Sequence, residues 1–387
     1  MKKIAIVTRK LVMGGIERAL ASKLENLCDL GYDVTLFLMS PGGELENSIP
    51  SNIKVEYIFG TERSVFEKVL KNVDKGKYYM AAKVLFCSLC SKITKTVFNK
   101  EFYLSKVIEP NETVYDLAIA YHTPASFPVV YVINNLKANK KIAWIHSDVS
   151  VYKNELKPYR KYYQRFDHIF CVSKFGKDKF IGMYPELEQK TSVFYNIINR
   201  KNIIEKSNFI DGFQDEFQGI RILTVGRLCN QKGQDIIPEI MINLLKEGHE
   251  VKWYCIGEGE DRDKIDNLIK QHNLQNNLIL LGNKINPYPY FRECDIYVQP
   301  SRHEGYCISL AEARIFNKPI VTTNFVGALE QIKNGHTGII VEFNAKKLVL
   351  AIQELVEKKN IREKFEINLL NDQNDNSSQM KLLLNMI

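Results

Sequence analysis

Short continuous apolar runs alternate with amphipathic stretches along most of the chain. The first run spans 3–8, a helical pattern follows over 17–30, and a second apolar run spans 33–38. Runs without polar alternation are typical of parallel strands that are buried on both faces. The opening of the chain therefore predicts a strand–helix–strand unit of a parallel sheet, with Gly31 ending the helix.

The same pattern continues and then starts again after a break. In the first half, strands are predicted at 54–58, 117–121, 141–145 and 168–172, and residues 63–106 are predicted to be helical. A polar connector without clear periodicity occupies 199–219. In the second half, helices are predicted at 235–247 and 261–272, and strands at 221–225, 251–256, 278–281, 296–299, 319–322 and 338–341. The fold class is therefore α/β, with two doubly wound Rossmann-like domains whose ligands bind at the carboxyl ends of the strands.

The length and composition agree with two cytoplasmic domains. A chain of 387 residues suits two domains of roughly 200 residues. We expect an N-terminal domain at 1–205, a C-terminal domain at 206–365, and a tail at 366–387 whose return to the first domain stays open. The apolar run at the start is too short for a signal peptide, and no long uncharged apolar run predicts a membrane span. The eight cysteines are scattered and are expected to be reduced thiols.

The net charge of +8 is concentrated in the first half of the chain. Residues 1–200 hold 30 lysines and arginines against 20 acidic residues, whereas the rest holds 23 against 25. The excess of basic over acidic residues is largest in the segments 63–106 and 153–179. Within the first of these segments, lysines alternate with large apolar residues. This pattern suits a helix lying in a membrane interface, and it also fits a solvated basic face on helices packed against the core. A basic half predicts an anionic partner, either a membrane or a nucleic acid.

The segment 300–313 carries the strongest candidate chemistry. Glu304 and Glu312 stand eight residues apart, after a predicted strand and across Gly305. A helix beginning near Tyr306 would present its free N–H groups as a diphosphate site, with Glu312 about two turns in. Carboxylates bind neutral hydroxyls and repel phosphate, so they suit the two ends of such a ligand. On spacing alone, both glutamates also fit ordinary solvated helix positions.

Two cations and a glycine pair follow other predicted strands. Arg227 and Lys232 leave the strand at 221–225, where they can neutralise a departing diphosphate or be solvated loop cations. Gly14 and Gly15 let backbone approach a ligand or form a tight turn. His146 ends the strand at 141–145, a position compatible with a cleft-facing catalytic residue or a structural histidine.

Three patterns that could indicate a cofactor or a metal are interpreted otherwise. The loop at 257–263 has two glycines and four acidic residues, which would repel a pyrophosphate. Asp261 and Asp263 open a helix, where acids favour the dipole, so we expect no metal there. Cys87 and Cys90 form a single CxxC without a second pair, so no zinc site is expected.

Taken together, these elements resemble the family-4 retaining glycosyltransferases of the glycosyl transferases group 1, with the GT-B fold of two domains facing across a cleft. The matching residues are Gly14-Gly15-Ile16-Glu17-Arg18, Gly226-Arg227-Leu228 with Lys232-Gly233, Pro300-Ser301 with Glu304-Gly305, the Glu304/Glu312 pair, Pro319-Ile320-Val321, and Gly327 with Glu330. The likeness covers nearly the whole chain and is strongest over 220–342.

The resemblance implies a role for each site residue. Glu304 would hold donor-sugar hydroxyls, Glu312 the ribose, and Arg227 and Lys232 the diphosphate, with His146 beside the transferring sugar. The backbone amides that complete the cradle would be those of Gly15, Tyr306, Cys307, Ile308, Ser309 and Leu310. The reaction would keep the anomeric configuration without a protein nucleophile, a metal or a bound cofactor.

The resemblance also implies the partners. The donor would be a nucleoside-diphosphate hexose or N-acetylhexosamine, with UDP favoured, and the first domain would bind the acceptor. With the basic half, this predicts a lipid-linked acceptor in capsular or O-antigen-type polysaccharide synthesis, at the inner face of the plasma membrane. No nucleic-acid recognition motif accompanies the basic charge, so no nucleic-acid partner is expected.

Three departures from the family pattern accompany these matches. Cys307 stands where glycine or proline is common, His146-Ser147-Asp148 replaces a tighter His-Asp, and the tail is short and polar. The alternatives are a catalytically silent binding or scaffold subunit, or another GT-B enzyme such as a sugar-nucleotide epimerase or a phosphorylase.

Overall fold

The computed structural model describes residues 1–59, 65–122, 124–147, 149–209, 212–372 and 376–387. Its contacts divide the chain into two compact units. Unit 1 comprises Met1–Tyr195 and Ser378–Ile387, and unit 2 comprises Asn196–Ser377. The last ten residues therefore belong to unit 1, and the division after Tyr195 precedes the predicted boundary by ten residues.

Unit 1 is built on a seven-stranded sheet in the order β3-β2-β1-β4-β5-β6-β7. Every neighbouring pair of its strands is parallel. The strands are β1 (Lys3–Thr8), β2 (Asp33–Leu38), β3 (Lys54–Tyr57), β4 (Val114–His122), β5 (Lys137–Ile145), β6 (His168–Cys171) and β7 (Thr191–Val193). From Ile4 onward β1 is fully buried, as its unbroken apolar sequence predicts.

The helices of unit 1 cover this sheet. They are α1 (Gly15–Asp29), α2 (Val65–Asp74), α3 (Tyr78–Ile93), α4 (Val97–Lys106), α5 (Phe127–Asn135), α6 (Lys153–Leu156), α7 (Arg160–Tyr163) and α8 (Lys174–Met183), and α17 (Met380–Leu384) lies at the chain end. The predicted helical segment 63–106 is thus three helices, with residues 63 and 64 outside the described part. No helix among the described residues is long and apolar enough to cross a membrane.

Unit 2 is built on a six-stranded parallel sheet in the order β10-β9-β8-β11-β12-β13. Its strands are β8 (Ile220–Val225), β9 (Val251–Ile256), β10 (Leu278–Gly282), β11 (Ile296–Gln299), β12 (Ile320–Thr323) and β13 (Ile339–Val341). Its helices are α9 (Arg200–Ser207), α10 (Ile237–Lys246), α11 (Arg262–Gln271), α12 (Tyr288–Glu293), α13 (Ile308–Ile315), α14 (Val326–Gln331), α15 (Ala345–Glu357) and α16 (Lys359–Asn371).

Both faces of the unit 2 sheet are buried. Along β9, Trp253 and Cys255 belong to one apolar cluster, and Tyr254 and Ile256 belong to the cluster on the opposite face. Alternate strand residues point to opposite faces, so a continuous apolar run fills two layers of core at once. The prediction of two parallel-sheet α/β domains is confirmed.

Several observed elements were not predicted from the sequence, and α9 and β7 show why. The polar connector at 199–219 shows no clear periodicity, yet it contains α9, whose N-cap Asn199 accepts a hydrogen bond from the Asn202 N–H at 3.1 Å. Strand β7 was not predicted, because it has only three residues and lies at the sheet edge. Short polar elements carry too little apolar periodicity to be recognised.

Candidate functional site

The candidate donor site lies at the carboxyl ends of two neighbouring strands of unit 2. β8 and β11 are adjacent in the sheet, and each is followed by a loop that carries site residues. Lys232 ends a one-turn 3-10 helix at Asn230–Lys232 in the loop after β8, and Glu304 lies in the loop after β11. Adjacent parallel strands end at the same sheet edge, which brings these loops together.

Gly233 allows the two loops to touch. Its φ is +72°, and a Cβ there would lie 2.0 Å from the Pro300 carbonyl oxygen, so only glycine fits. Two hydrogen bonds join the same loops: the Arg302 N–H donates to the Gln231 carbonyl at 2.8 Å, and Gln231 Nε2 donates to the His303 carbonyl at 3.0 Å.

Lys232 and Glu304 form an ion pair in this contact. The Lys232 ammonium contacts Glu304 Oε1, and their side chains are only 19% and 9% exposed, respectively. Burial works against the charge of Lys232, but the adjacent Glu304 carboxylate outweighs it and holds the pKa of Lys232 above its ordinary value. The site thus presents a fixed cation directly beside a carboxylate.

A chain of hydrogen bonds that begins at Tyr297 in β11 orients the Glu304 carboxylate. The Tyr297 hydroxyl donates to Gln299 Oε1 at 2.5 Å, and Gln299 Nε2 donates to Ser301 Oγ at 2.8 Å. The Ser301 hydroxyl in turn donates to Glu304 Oε1 at 3.2 Å. Because each donor is committed to the next acceptor, the carboxylate is held in one orientation.

Helix α13 follows Glu304 and begins at Ile308, two residues later than predicted. Cys307 is its N-cap and provides no side-chain cap. The first N–H groups of a helix have no acceptor within the helix, so this end can bind an anion. Glu312 consequently lies about one turn into the helix rather than two; it is buried and accepts a hydrogen bond from the Tyr288 hydroxyl at 3.2 Å.

The remaining predicted residues of unit 2 lie on the same loops or in the first turn of α13. Arg227 is exposed two residues after the end of β8, and Gln234 Nε2 donates to its carbonyl oxygen at 3.2 Å. Tyr306, Cys307, Ile308 and Leu310 are buried, and Ser309 is half-buried. The arrangement can bind a diphosphate through cations and backbone N–H groups, with carboxylates for hydroxyl groups.

The predicted residues of unit 1 lie at its own strand ends. His146 directly follows β5 and is buried. Burial, followed by the charges of Lys23 and His122, lowers its pKa well below the ordinary value, so its imidazole is neutral. Gly15 is the first residue of α1. Asp148 lies outside the described residues.

Sequence reasoning missed four polar residues that support the site. Tyr297, Gln299 and Ser301 recur at every second position on one face of β11 and its extension, a spacing that was readable in the sequence. Tyr288, which binds Glu312, carried no comparable signal, because it comes from α12. Within the described parts of the chain, no group of three or more histidine, cysteine or acidic side chains has the arrangement of a metal site.

Comparison with known proteins identifies the second half of the chain. Residues 212–370 match the family model Glycosyl transferases group 1. An uncharacterized glycosyltransferase of Methanocaldococcus jannaschii, MJ1059, is 27% identical over 59% of this chain and 60% of its own length. The match therefore spans less than two thirds of that relative.

Two bacterial relatives have more specific names. An N-acetylgalactosamine-N,N'-diacetylbacillosaminyl-diphospho-undecaprenol 4-alpha-N-acetylgalactosaminyltransferase of Campylobacter jejuni is 26% identical over 95% of this chain and 93% of its own length. The capsular polysaccharide biosynthesis glycosyltransferase CapM of Staphylococcus aureus is 31% identical over 36% of this chain and 37% of its own length.

Solved structures share the fold across the whole chain. Anabaena Alr3699/HepE, in complex with UDP and glucose, matches with a TM-score of 0.72 at 16% identity, covering 100% of this chain and 99% of that chain. The chain therefore has the GT-B fold, and its residues 212–370 are similar to the glycosyl transferases group 1 domain, which supports a GT-B glycosyltransferase.

Proposed function

We propose that the chain is a retaining glycosyltransferase that moves a hexose or N-acetylhexosamine from a nucleoside-diphosphate sugar, with UDP favoured, to a lipid-linked acceptor. The observation that carries this proposal is the ion pair of Lys232 with Glu304, just before the uncapped start of α13. A cation and free N–H groups suit the diphosphate, and a carboxylate suits neutral sugar hydroxyls.

The donor extends from Glu304 to Glu312. Glu304 binds the sugar hydroxyls, Arg227 and Lys232 bind the diphosphate, and Glu312 binds the ribose. The backbone N–H groups of Tyr306, Cys307, Ile308, Ser309 and Leu310 complete the phosphate cradle, together with Gly15. UDP is favoured because the HepE neighbour was solved with UDP and glucose.

The chemistry needs no nucleophile from the protein. An acceptor hydroxyl oxygen attacks the anomeric carbon on the face from which the diphosphate departs. The carbon–oxygen bond to phosphate breaks, and the leaving phosphate oxygen takes the hydroxyl proton. Arg227 and Lys232 stabilise the charge that develops on the diphosphate, so no divalent metal is required. Neutral His146 hydrogen-bonds the transferring sugar.

The acceptor is a lipid-linked saccharide of surface-polysaccharide synthesis, bound by unit 1. The Campylobacter relative is named for a diphospho-undecaprenol acceptor, and it aligns with 95% of this chain. The Staphylococcus relative is named for capsular polysaccharide synthesis. We therefore place the reaction at the cytoplasmic face of the membrane.

An exposed apolar surface on α3 supports membrane docking. Tyr79, Phe86, Leu89 and Ile93 are 58–80% exposed and, with exposed Ala82, recur every three or four residues along one face. Large exposed apolar patches on soluble proteins mark interaction sites. The opposite face of α3 is buried through Ala81, Val84 and Cys87, so the helix is apolar on both sides.

Exposed lysines lie on α2, on α3 and in the turn between these helices. Lys71 is exposed on α2, Lys75 is exposed between α2 and α3, and Lys92 is exposed on α3. Each cation near an anionic leaflet contributes about 1 kcal/mol, and the apolar side chains enter the acyl boundary. The surface therefore docks on an anionic membrane.

Vesicle co-sedimentation tests the docking. We expect binding to anionic vesicles at low salt, loss of it in Phe86→Ser/Ile93→Ser, and weakening in Lys71→Glu/Lys75→Glu/Lys92→Glu. Leu350→Ser/Ile367→Ser, which changes exposed apolar residues of unit 2, is the matched control. Equal binding by all variants, or a dimer that Phe86→Ser/Ile93→Ser dissociates, would contradict the proposal.

The transferase activity is tested by a thermal-shift screen of sugar nucleotides, followed by a product assay. We expect one sugar nucleotide to stabilise the protein and to serve as donor to a lipid-linked saccharide. If the sugar is α-linked in that donor, it should also be α-linked in the product. Stabilisation without turnover over a panel of lipid-linked acceptors would instead indicate a binding subunit, and an inverted product would refute retention.

A further inference from the structure

An arginine in the loop after β11 fastens that loop to the loop after β8. Arg302 lies two residues before Glu304. Its Nη1 atom donates to Asp235 Oδ1 at 2.7 Å, and its Nη2 atom donates to Asp235 Oδ2 at 3.1 Å. Nη1 also donates to the Asn230 carbonyl oxygen at 2.6 Å. Asn230 and Asp235 lie on either side of Lys232 along the chain, so the arginine holds the Lys232 segment at both ends.

The pair of Arg302 and Asp235 is held in one geometry by its surroundings. The two side chains are only 24% and 12% exposed, and the ring centroid of Phe343 lies 4.2 Å from Arg302 Cζ. Burial works against the charge of Asp235, but hydrogen bonds from Arg302 and then Lys264 outweigh it and hold the pKa of Asp235 below its ordinary value. A planar guanidinium that meets a carboxylate through two parallel bonds and rests on an aromatic face has a fixed orientation.

The parallel ladder between β8 and β11 ends before the site. Its last paired residues are Leu223 and Tyr297, and Lys232 and Glu304 lie further along the two loops. Neighbouring strands fix a spacing of about 5 Å, whereas a binding constellation must be held to within about 0.5 Å. Contacts between the loops must therefore supply the remaining precision.

We propose that Arg302 and Asp235 are positioning residues for the donor site: their bidentate pair sets the separation between the Lys232 ammonium and the Glu304 carboxylate. This inference rests on the proposed function, in which Lys232 binds the diphosphate and Glu304 binds the donor sugar. Neither Arg302 nor Asp235 contacts the donor, because the guanidinium and the carboxylate are directed at each other. The pair acts through the two loops that it joins.

The same fastening extends to Arg227 through Gln234. Gln234 directly precedes Asp235 in the chain and is buried. Its Nε2 atom donates to the carbonyl oxygens of Gly226 and Arg227, at 3.1 Å and 3.2 Å, respectively. Holding Asp235 in place therefore also holds the side chain that anchors the Arg227 backbone. Both cations assigned to the diphosphate thus depend on one ion pair.

The test measures whether Arg302 controls the pairing of Lys232 with Glu304. In the full chain, urea unfolding of Lys232→Met, Glu304→Gln and the double variant gives the coupling free energy between the two side chains. We expect this coupling to fall by more than half when the cycle is repeated in an Arg302→Met or an Asp235→Asn background. Lys264→Met removes the second, 54% exposed partner of Asp235; it is the matched control and should leave the coupling unchanged.

A pair that only stabilises the fold gives a different result. Its loss would lower the free energy of unfolding equally in every member of the cycle and leave the coupling between Lys232 and Glu304 intact. That outcome in folded Arg302→Met would overturn the inference, and so would a coupling of zero in the wild type. Should Arg302→Met not fold, an unchanged coupling in Asp235→Asn overturns it equally.

Transfer rates provide the second readout. We expect kcat to fall about a hundred-fold in Arg302→Met, because a displacement of about 1 Å in a reacting constellation has an effect of this size. Arg302→Lys should recover part of the loss, since a single ammonium lacks the planar fork that meets both carboxylate oxygens. Lys264→Met should keep the wild-type rate, and an equal kcat in folded Arg302→Met would contradict the inference. The unfolding cycle needs no turnover, so a protein that binds no sugar nucleotide would refute the proposed function alone.

Discussion

Replacing Glu304 by glutamine should separate donor binding from transfer. In the free protein, Glu304 neutralises Lys232 within a contact whose side chains are 9% and 19% exposed. Glu304→Gln keeps the shape of the side chain and its hydrogen bond from Ser301, but it removes the charge. Lys232 is then available to the diphosphate, whereas the sugar loses its carboxylate.

The two effects have opposite signs. At about 7 Å and an effective dielectric constant of about 20, one charge repels another by about 2 kcal/mol. With solvent screening, UDP should bind roughly five- to thirty-fold more tightly to Glu304→Gln than to the wild type. Weakening two charge-assisted hydrogen bonds from sugar hydroxyls in the transition state costs about 3–4 kcal/mol, which lowers kcat by roughly two-hundred- to a thousand-fold.

Calorimetric titration with UDP and initial-rate assays measure these quantities. Glu258→Gln is the matched control: this carboxylate lies in the loop after β9 and pairs with Arg262, so neither UDP affinity nor kcat should change. Weaker UDP binding by Glu304→Gln, or a kcat within ten-fold of wild type, would refute the reasoning.

Three further predictions follow from particular contacts. Gly233→Ala should weaken UDP binding at least ten-fold, because its Cβ would displace Pro300. The control Gly248→Ala changes a glycine with φ +81° and no atom within reach of a Cβ, so it should cost about 1–2 kcal/mol of stability and leave UDP affinity unchanged. Equal UDP affinities of the two variants would contradict this prediction. Burial raises the pKa of Glu101 from 4.5 to about 7, against the hydrogen bond from Tyr159. The folded state therefore binds the extra proton, so the free energy of unfolding falls as pH rises from 4.5 through 7. Glu101→Gln should be about 2–3 kcal/mol more stable than wild type at pH 8 but not at pH 4. Urea unfolding at both pH values measures this difference, and a gain in stability at pH 4 alone would contradict the prediction. Transfer should survive EDTA, since Arg227 and Lys232 supply the positive charge; complete loss restored by Mn²⁺ would contradict this.

The strands were the most predictable elements. The runs at 3–8, 33–38, 251–256 and 296–299 match the observed bounds of β1, β2, β9 and β11. A strand buried on both faces must be apolar throughout, so its limits are visible in the sequence. α9 escaped prediction although Asn199 marks its start, because the helix that follows is mostly polar.

The sequence indicated which residues form the candidate site, but not which of them contact each other. Lys232 and Glu304 were assigned to different parts of the donor, and their direct pairing depends on the approach of Gly233 to Pro300. That approach is a tertiary contact between segments about 70 residues apart. The burial of Lys23 could not be predicted for a related reason. A lysine on an amphipathic helix normally faces water, and only its packing against the rings of Trp144, Phe194 and Tyr121 shows that it is buried.

A crystal structure of the complex with UDP tests the central claim most directly. The account predicts that Lys232 leaves Glu304 and lies, with Arg227, within about 3.5 Å of phosphate oxygens, while Glu312 accepts hydrogen bonds from the ribose. UDP bound elsewhere in the chain, with the ion pair of Lys232 and Glu304 still intact, would contradict it.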